Sequence, residues 1–201
     1  MTLTDLYAMK YIIIAAGIFF STQVLAQAGL KEGAKAPEIV SIDNSGQKID
    51  LNTILKSHKA VVLFFYRGQW CPYCNRYIQH MQDSLQLLMN KGAYIIAVTP
   101  ETPSNIARTI EKTHASFSII QDRNDQIMKD YDVNYTVDPI LLSKLNTYGV
   151  DLEKNNGNKD HVLPVPATYI IDPSGKITFV HFDKDYTQRP SIKTLLEKLP
   201  S

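Results

Sequence analysis

The segment that most constrains this chain is Trp70-Cys71-Pro72-Tyr73-Cys74, which holds both of its cysteines. Before it, Ala60-Val61-Val62-Leu63-Phe64-Phe65-Tyr66 reads as a buried strand. After it, from about Cys71 to Lys91, Ile78, Met81, Leu85 and Leu88 recur at three- and four-residue steps on one helical face, and Gly92 closes the run. A C-x-x-C at a strand-to-helix junction puts its first sulfur at the positive end of the helix, where a thiolate is stabilised. The chemistry this predicts is dithiol/disulfide exchange. An inert staple is the other reading, but so short a loop restricts the unfolded chain little, and small secreted scaffolds usually carry several bridges.

The remaining elements supply a fold around that junction. Glu38 to Val40 and Gln47 to Leu51 flank the polar turn Asp43-Asn44-Ser45-Gly46, an N-terminal hairpin. Beyond the motif helix come a strand over Ala93 to Val98, a helix over Pro103 to Thr113, a strand over Phe117 to Gln121 and a helix over Asp125 to Tyr131. From Val133 to Pro164 the rhythm breaks into a short helix around Pro139 to Leu145 and a polar run, Asn155 to Asp160. This stretch reads as a surface insertion, either a lip over the site or a solvated loop. Ala167 to Ile171 and Lys176 to Val180, joined by Asp172-Pro173-Ser174-Gly175, form a closing hairpin, and a helix over Ser191 to Leu199 ends the chain. The expected class is α/β, a central mixed sheet with helices on both faces, in one domain.

Lys10 and the apolar run Tyr11 to Phe20 lead to Val24-Leu25-Ala26, so residues 1–26 read as a secretory signal peptide and 27–201 as the mature domain. The apolar run of about 10 residues falls short of the roughly 20 that span a bilayer, which favours cleavage over a retained anchor. Met9 would make a more ordinary start than Met1. No cysteine follows the cleavage site to carry a lipid. The mature protein is therefore expected to be periplasmic or secreted. A net charge of +1, with no charge block, points away from nucleic acid and membrane surfaces as partners.

Gly33-x-x-Ala36-Pro37, Phe65-Tyr66, the W-C-x-x-C motif and Val165-Pro166-Ala167-Thr168-Tyr169-Ile170-Ile171-Asp172 together resemble the thioredoxin superfamily, and within it the peroxiredoxin-like branch of the alkyl hydroperoxide reductase/thiol-specific antioxidant (AhpC/TSA) family. His181-Phe182-Asp183-x-Asp185-Tyr186-Thr187 is similar to the tail of that branch. The resemblance implies a thioredoxin-like fold, with the insertion placed before a cis-proline strand. It also implies a cis Val165–Pro166 bond lying against the C-x-x-C, which would free the Val165 backbone to pair with an incoming chain.

Counting from Tyr66 puts Cys74 on the peroxide-reacting position of the peroxiredoxin signature. There Arg67 stands in place of a proline, Cys71 in place of a peroxide-binding Thr or Ser, and Pro166 about where an active-site arginine is expected. Donors that stabilise the breaking O–O bond are thus missing, which weakens a peroxidase reading. Arg67 either restores part of the lost charge or is a solvated strand-end residue. The buried acid that serves the second cysteine in thioredoxins is absent from Val61 to Phe65.

Helix electrostatics makes Cys71 the attacking thiolate and Cys74 the resolving thiol, with Trp70 covering the sulfur and Tyr73 lining the groove, unless both aromatics are ordinary packing. The peroxiredoxin alignment implies the reverse order, with Cys74 attacking peroxide. The expected partners are a thiol reductant, protein or small molecule, and a disulfide or peroxide substrate, with no cofactor. Copper or zinc delivery through the two cysteines and a histidine is a further alternative, but His58, His80, His114, His161 and His181 lie at no diagnostic spacing from them. The Pro72-Tyr73 dipeptide is that of glutaredoxins and predicts a disulfide more oxidising than that of thioredoxin.

Overall fold

The computed structural model describes residues 29–200; the leader assigned to residues 1–26 lies outside them. In chain order the elements are β1 (Val40–Ile42), β2 (Lys48–Asp50), α1 (Leu51–Leu55), β3 (Ala60–Phe65), α2 (Pro72–Asp83), α3 (Leu85–Asn90), β4 (Ala93–Thr99), α4 (Pro103–Thr113), β5 (Ser118–Gln121), α5 (Gln126–Asp130), β6 (Asn134–Thr136), α6 (Pro139–Thr147), α7 (Leu152–Asn156), β7 (Val162–Pro164), β8 (Ala167–Ile171), β9 (Ile177–Phe182) and α8 (Ile192–Lys198).

The central sheet runs β5-β4-β3-β8-β9. Strand β3 is parallel to β4 and antiparallel to β8, β5 is parallel to β4, and β9 returns antiparallel on β8. This is the mixed sheet expected from sequence. Every residue of β3 is buried, because alternate side chains enter separate cores. Val62 and Phe64 pack with Ile78 and Met81 of α2, Ile106 of α4 and Leu195 of α8. Val61, Leu63 and Phe65 pack on the other face with Leu51 of α1, Met128 of α5 and Ile49 of the N-terminal hairpin. That hairpin guards the edge strand β5: Asn44 N–H donates to the Ile119 carbonyl at 2.9 Å, and the Ser118 hydroxyl donates to Asp43 at 2.8 Å.

Beyond α1 (Leu51–Leu55), a helix that the sequence reading did not include, three departures from that reading stand out. The single helix expected over Cys71 to Lys91 is two, broken at Ser84 (φ −104°, ψ 6°). Asp83 and Ser84 are weak helix formers, and the break lets Leu88 of the second segment stay buried against the sheet. The Val133 to Pro164 insertion is built around an antiparallel pair, β6 on β7, which sequence did not show. Between them α6 and α7 gather a small core of Val137, Leu152 and Leu163, so the stretch is folded and not a solvated loop. Lastly, no peptide bond among the described residues is cis, and Val165–Pro166 is trans. The trans preference before proline is only about 0.5–1 kcal/mol, so context decides the isomer. Here the β7 ladder continues one residue further, with Val165 N–H donating to the Val133 carbonyl at 2.6 Å. That N–H is occupied and does not wait for an incoming chain.

Candidate active site

Strand β3 ends under the C-x-x-C and α2 begins on it. Pro72 takes the first helical position, where its missing N–H costs nothing. Cys71 is the N-cap, its sulfur accepting the Cys74 N–H at 3.3 Å. Between strand and motif, Gly68 permits a close approach: a Cβ there would sit 2.5 Å from Trp70 Nε1 and 2.7 Å from Glu101 Oε1.

Both cysteines are free and buried, with their sulfurs 2.6 Å apart. Two guanidinium groups flank them. Arg67 Nη2 donates to Cys71 Sγ at 3.5 Å, and Arg189 Nη2, from the segment before α8, donates to Cys74 Sγ at 3.7 Å. Arg67 is only 5% exposed, so it is not the solvated strand-end residue that sequence allowed. Its guanidinium lies 3.6 Å from the Tyr186 ring centroid and 5.2 Å from that of Trp70. Burial opposes its charge, but the Cys71 sulfur more than offsets this and holds Arg67 protonated.

With the sulfurs in contact, the pair ionises as a unit. Burial works against a Cys74 thiolate, yet the hydrogen bond from Cys71, the Arg189 charge and the Arg67 backbone bring its pKa down to about 5. The Cys71 thiol is pushed up by its bond to Cys74, by burial and by the neighbouring charge. These opposite shifts favour the pair's negative charge on Cys74 and the shared proton on Cys71.

Sequence reasoning missed an acid beside this pair. Glu101, in the turn from β4 to α4, is fully buried and accepts the Gln69 N–H at 2.6 Å. Burial raises its pKa to about 8, and the Cys74 charge adds to the rise. Nothing in its immediate sequence marks it except that it follows Thr99 at the end of an otherwise apolar strand. Arg189 was equally hidden, and Tyr186, read only as part of the tail motif, was given no place at the site, because both arrive from the far end of the chain.

Cys71 opens onto a cavity of about 690 Å³, walled by Arg67, Trp70, Tyr73, Val165, Tyr186 and residues of the insertion. Cys74 does not line it, and neither does Pro166, which is buried one residue beyond Val165. Of the seven site residues expected from sequence, the structure gathers Arg67, Trp70, Cys71, Tyr73 and Val165 around this space, with Cys74 directly beneath. Among the described residues no group of three or more His, Cys, Asp or Glu side chains could hold a metal ion.

The description "AhpC/TSA family" fits residues 33–180. The thiol-disulfide oxidoreductase ResA of Bacillus subtilis is 27% identical over 170 residues, 84% of this chain and 78% of its own. Peroxiredoxin Bcp of Escherichia coli is 23% identical over 154 residues, 77% of this chain and 86% of its own. In fold, the chain matches the peroxidoxin BcpB of Mycobacterium tuberculosis with a TM-score of 0.64 at 18% identity, covering 85% of this chain and 96% of that one. It matches a putative thiol:disulfide interchange protein DsbE from Chlorobium tepidum with a TM-score of 0.55 at 20% identity, covering 85% and 99%.

Proposed function

Because this chain belongs to the AhpC/TSA family and is a thioredoxin-like oxidoreductase working through thiols, we propose that it is an exported thiol-disulfide oxidoreductase in which Cys71 attacks and Cys74 resolves. The observation that carries this reading is position: both cysteines are buried, but Cys71 borders the cavity and Cys74 does not. The pair's shared proton passes to Cys74 as Cys71 attacks a substrate disulfide, with the helix N-terminus and Arg67 supporting the Cys71 thiolate. The first substrate sulfur leaves as a thiolate. Cys74 then gives up its proton and attacks the Cys71 sulfur, releasing the second substrate thiolate and closing the Cys71–Cys74 disulfide. Glu101, whose pKa burial and the Cys74 charge raise to about 8, is the buried group suited to exchange a proton with Cys74. Trp70 and Tyr73 shape the approach to the sulfur. A thiol reductant, protein or small molecule, restores the dithiol.

One observation favours a second reading, a thiol-dependent peroxidase. The low pKa falls on Cys74, the position a peroxide-reacting cysteine would occupy, and Arg189 stands beside it. Two assays separate the readings: reduction of insulin disulfides with dithiothreitol, and hydrogen peroxide consumption with a thiol donor. The proposal expects disulfide reduction that disappears in Cys71→Ser, with peroxide turnover near background. Rapid peroxide turnover dependent on Cys74 would establish the peroxidase instead. Export rests on the leader pattern of residues 1–26; recovery of a chain beginning at Gln27 outside the cytoplasm would support it, and an intact cytoplasmic chain would remove it. Among the described residues no helix is long and apolar enough to cross a membrane.

A further inference from the structure

The cavity over Cys71 has a one-sided charge. Its lining includes Arg67, Lys144 of α6 and Lys184 of the loop after β9, and no acidic side chain. The whole chain is nearly neutral, so three cations without an acid are a local concentration and not a reflection of composition. Among the described residues none of the three is paired with a carboxylate. The acids flanking Lys184 are turned into their own loop: Asp183 accepts the Asp185 N–H, and Asp185 accepts the Thr187 N–H and hydroxyl. The rest of the wall is apolar or aromatic, with Trp70, Tyr135 and Tyr148 prominent.

Arg67 is also more than nine-tenths buried, and its Nη2 reaches Cys71 Sγ at 3.5 Å, so one of the cavity's three cations sits at the reacting sulfur itself.

Resting on the disulfide-reductase reading above, we infer that the substrate class of this cavity is a small disulfide with an apolar body and carboxylate groups. The body packs against the aromatic wall. A carboxylate meets Lys144 and Lys184 at the rim, or Arg67 once the Cys71 charge has passed into the mixed disulfide. The chemistry balances as two-electron exchange: the substrate S–S bond breaks, a Cys71–S bond forms and then yields to the Cys71–Cys74 bond, and two substrate thiolates leave. The dithiol is oxidised and the substrate reduced.

The test compares the reduced full-length chain with two aromatic disulfides by stopped flow: 5,5′-dithiobis(2-nitrobenzoate), which carries two carboxylates, and neutral 4,4′-dithiodipyridine. The readout is the ratio of their second-order rate constants. In K144Q/K184Q, where both residues are exposed and substitution leaves the core untouched, the ratio is expected to fall about five- to ten-fold. In K56Q/K91Q, which removes the same net charge at the opposite ends of β3 and β4, it is expected to hold. An unchanged ratio in K144Q/K184Q, or an equal fall in K56Q/K91Q, would overturn the substrate class while leaving the reductase reading in place. If the wild-type chain reduced neither compound nor insulin, the reductase reading itself would fail.

Discussion

Two arginines, one on each side of the cysteine pair, set the chemistry at the scale of single residues. Arg67 approaches Cys71 and Arg189 approaches Cys74, so the negative charge of the reduced pair is held between them in a buried setting. Removing Arg67 leaves that charge under-compensated: in Arg67→Ala, alkylation of the pair by iodoacetamide is expected to shift to higher pH and the rate at pH 7 to fall about ten-fold. An unshifted profile would show that Arg67 does not act on the thiolate. Glu101 makes a prediction of opposite sign. Its folded pKa of about 8 lies above the unfolded value of roughly 4.3, so between those limits the folded state holds more protons than the unfolded one. Its contribution to stability is complete below about pH 4.3 and is lost as pH rises through about 8. Glu101→Gln, which keeps an acceptor for Gln69, is expected to flatten the loss between about pH 5 and 8 in urea melts, by an amount on the order of a few kcal/mol. The effect should shrink in the disulfide form, where the Cys74 charge that helps raise Glu101 is gone. At this scale sequence revealed the cysteines, because a C-x-x-C is local. It revealed neither Arg189 nor Glu101, because they reach the site only through the path of the sheet.

Among the elements, the insertion has the largest functional share. The β6–β7 pair lifts α6 and α7 beside the motif, and Thr102 N–H, donating to the Asn155 carbonyl at 2.9 Å, ties α7 to the start of α4. Its core is small, so each buried side chain counts. Leu152→Ala removes a residue that is 1% exposed and should lower stability by about 2–3 kcal/mol in a denaturant titration. It should also raise KM for small disulfides while insulin reduction changes less, since only the former need the cavity wall. A loss confined to stability would make the insertion a structural annex. Sequence showed where the insertion begins and ends but not that it folds: β6 and β7 are three residues each, separated by two helices, and neither strand carries a periodic pattern. The regular elements were more legible. Strand β3 is a run of β-branched and aromatic residues, and α4 was bounded from Pro103 to Thr113 as found, with proline at its first position.

For the molecule as a whole, the mixed sheet with helices on both faces followed from alternating strands and helices, while the strand order and the Val165–Pro166 isomer did not, the latter because it depends on the ladder that β7 makes with β6. Stabilising the thiolate stabilises the reduced form, so the two arginines support the expectation drawn from the Pro72-Tyr73 dipeptide: a Cys71–Cys74 potential of roughly −230 to −150 mV in a glutathione redox titration, against about −270 mV for thioredoxin. A value below that of thioredoxin would refute it. The central claim, that Cys71 meets the substrate and Cys74 completes the reaction, is tested most directly by mass spectrometry of two full-length variants given a disulfide and, separately, hydrogen peroxide. Cys74→Ser is expected to trap a mixed disulfide on Cys71, and Cys71→Ser to form neither a mixed disulfide nor a sulfenic acid at appreciable rate. Fast sulfenic acid formation on Cys74 in the Cys71→Ser chain would reverse the order of the two cysteines and make the protein a peroxidase.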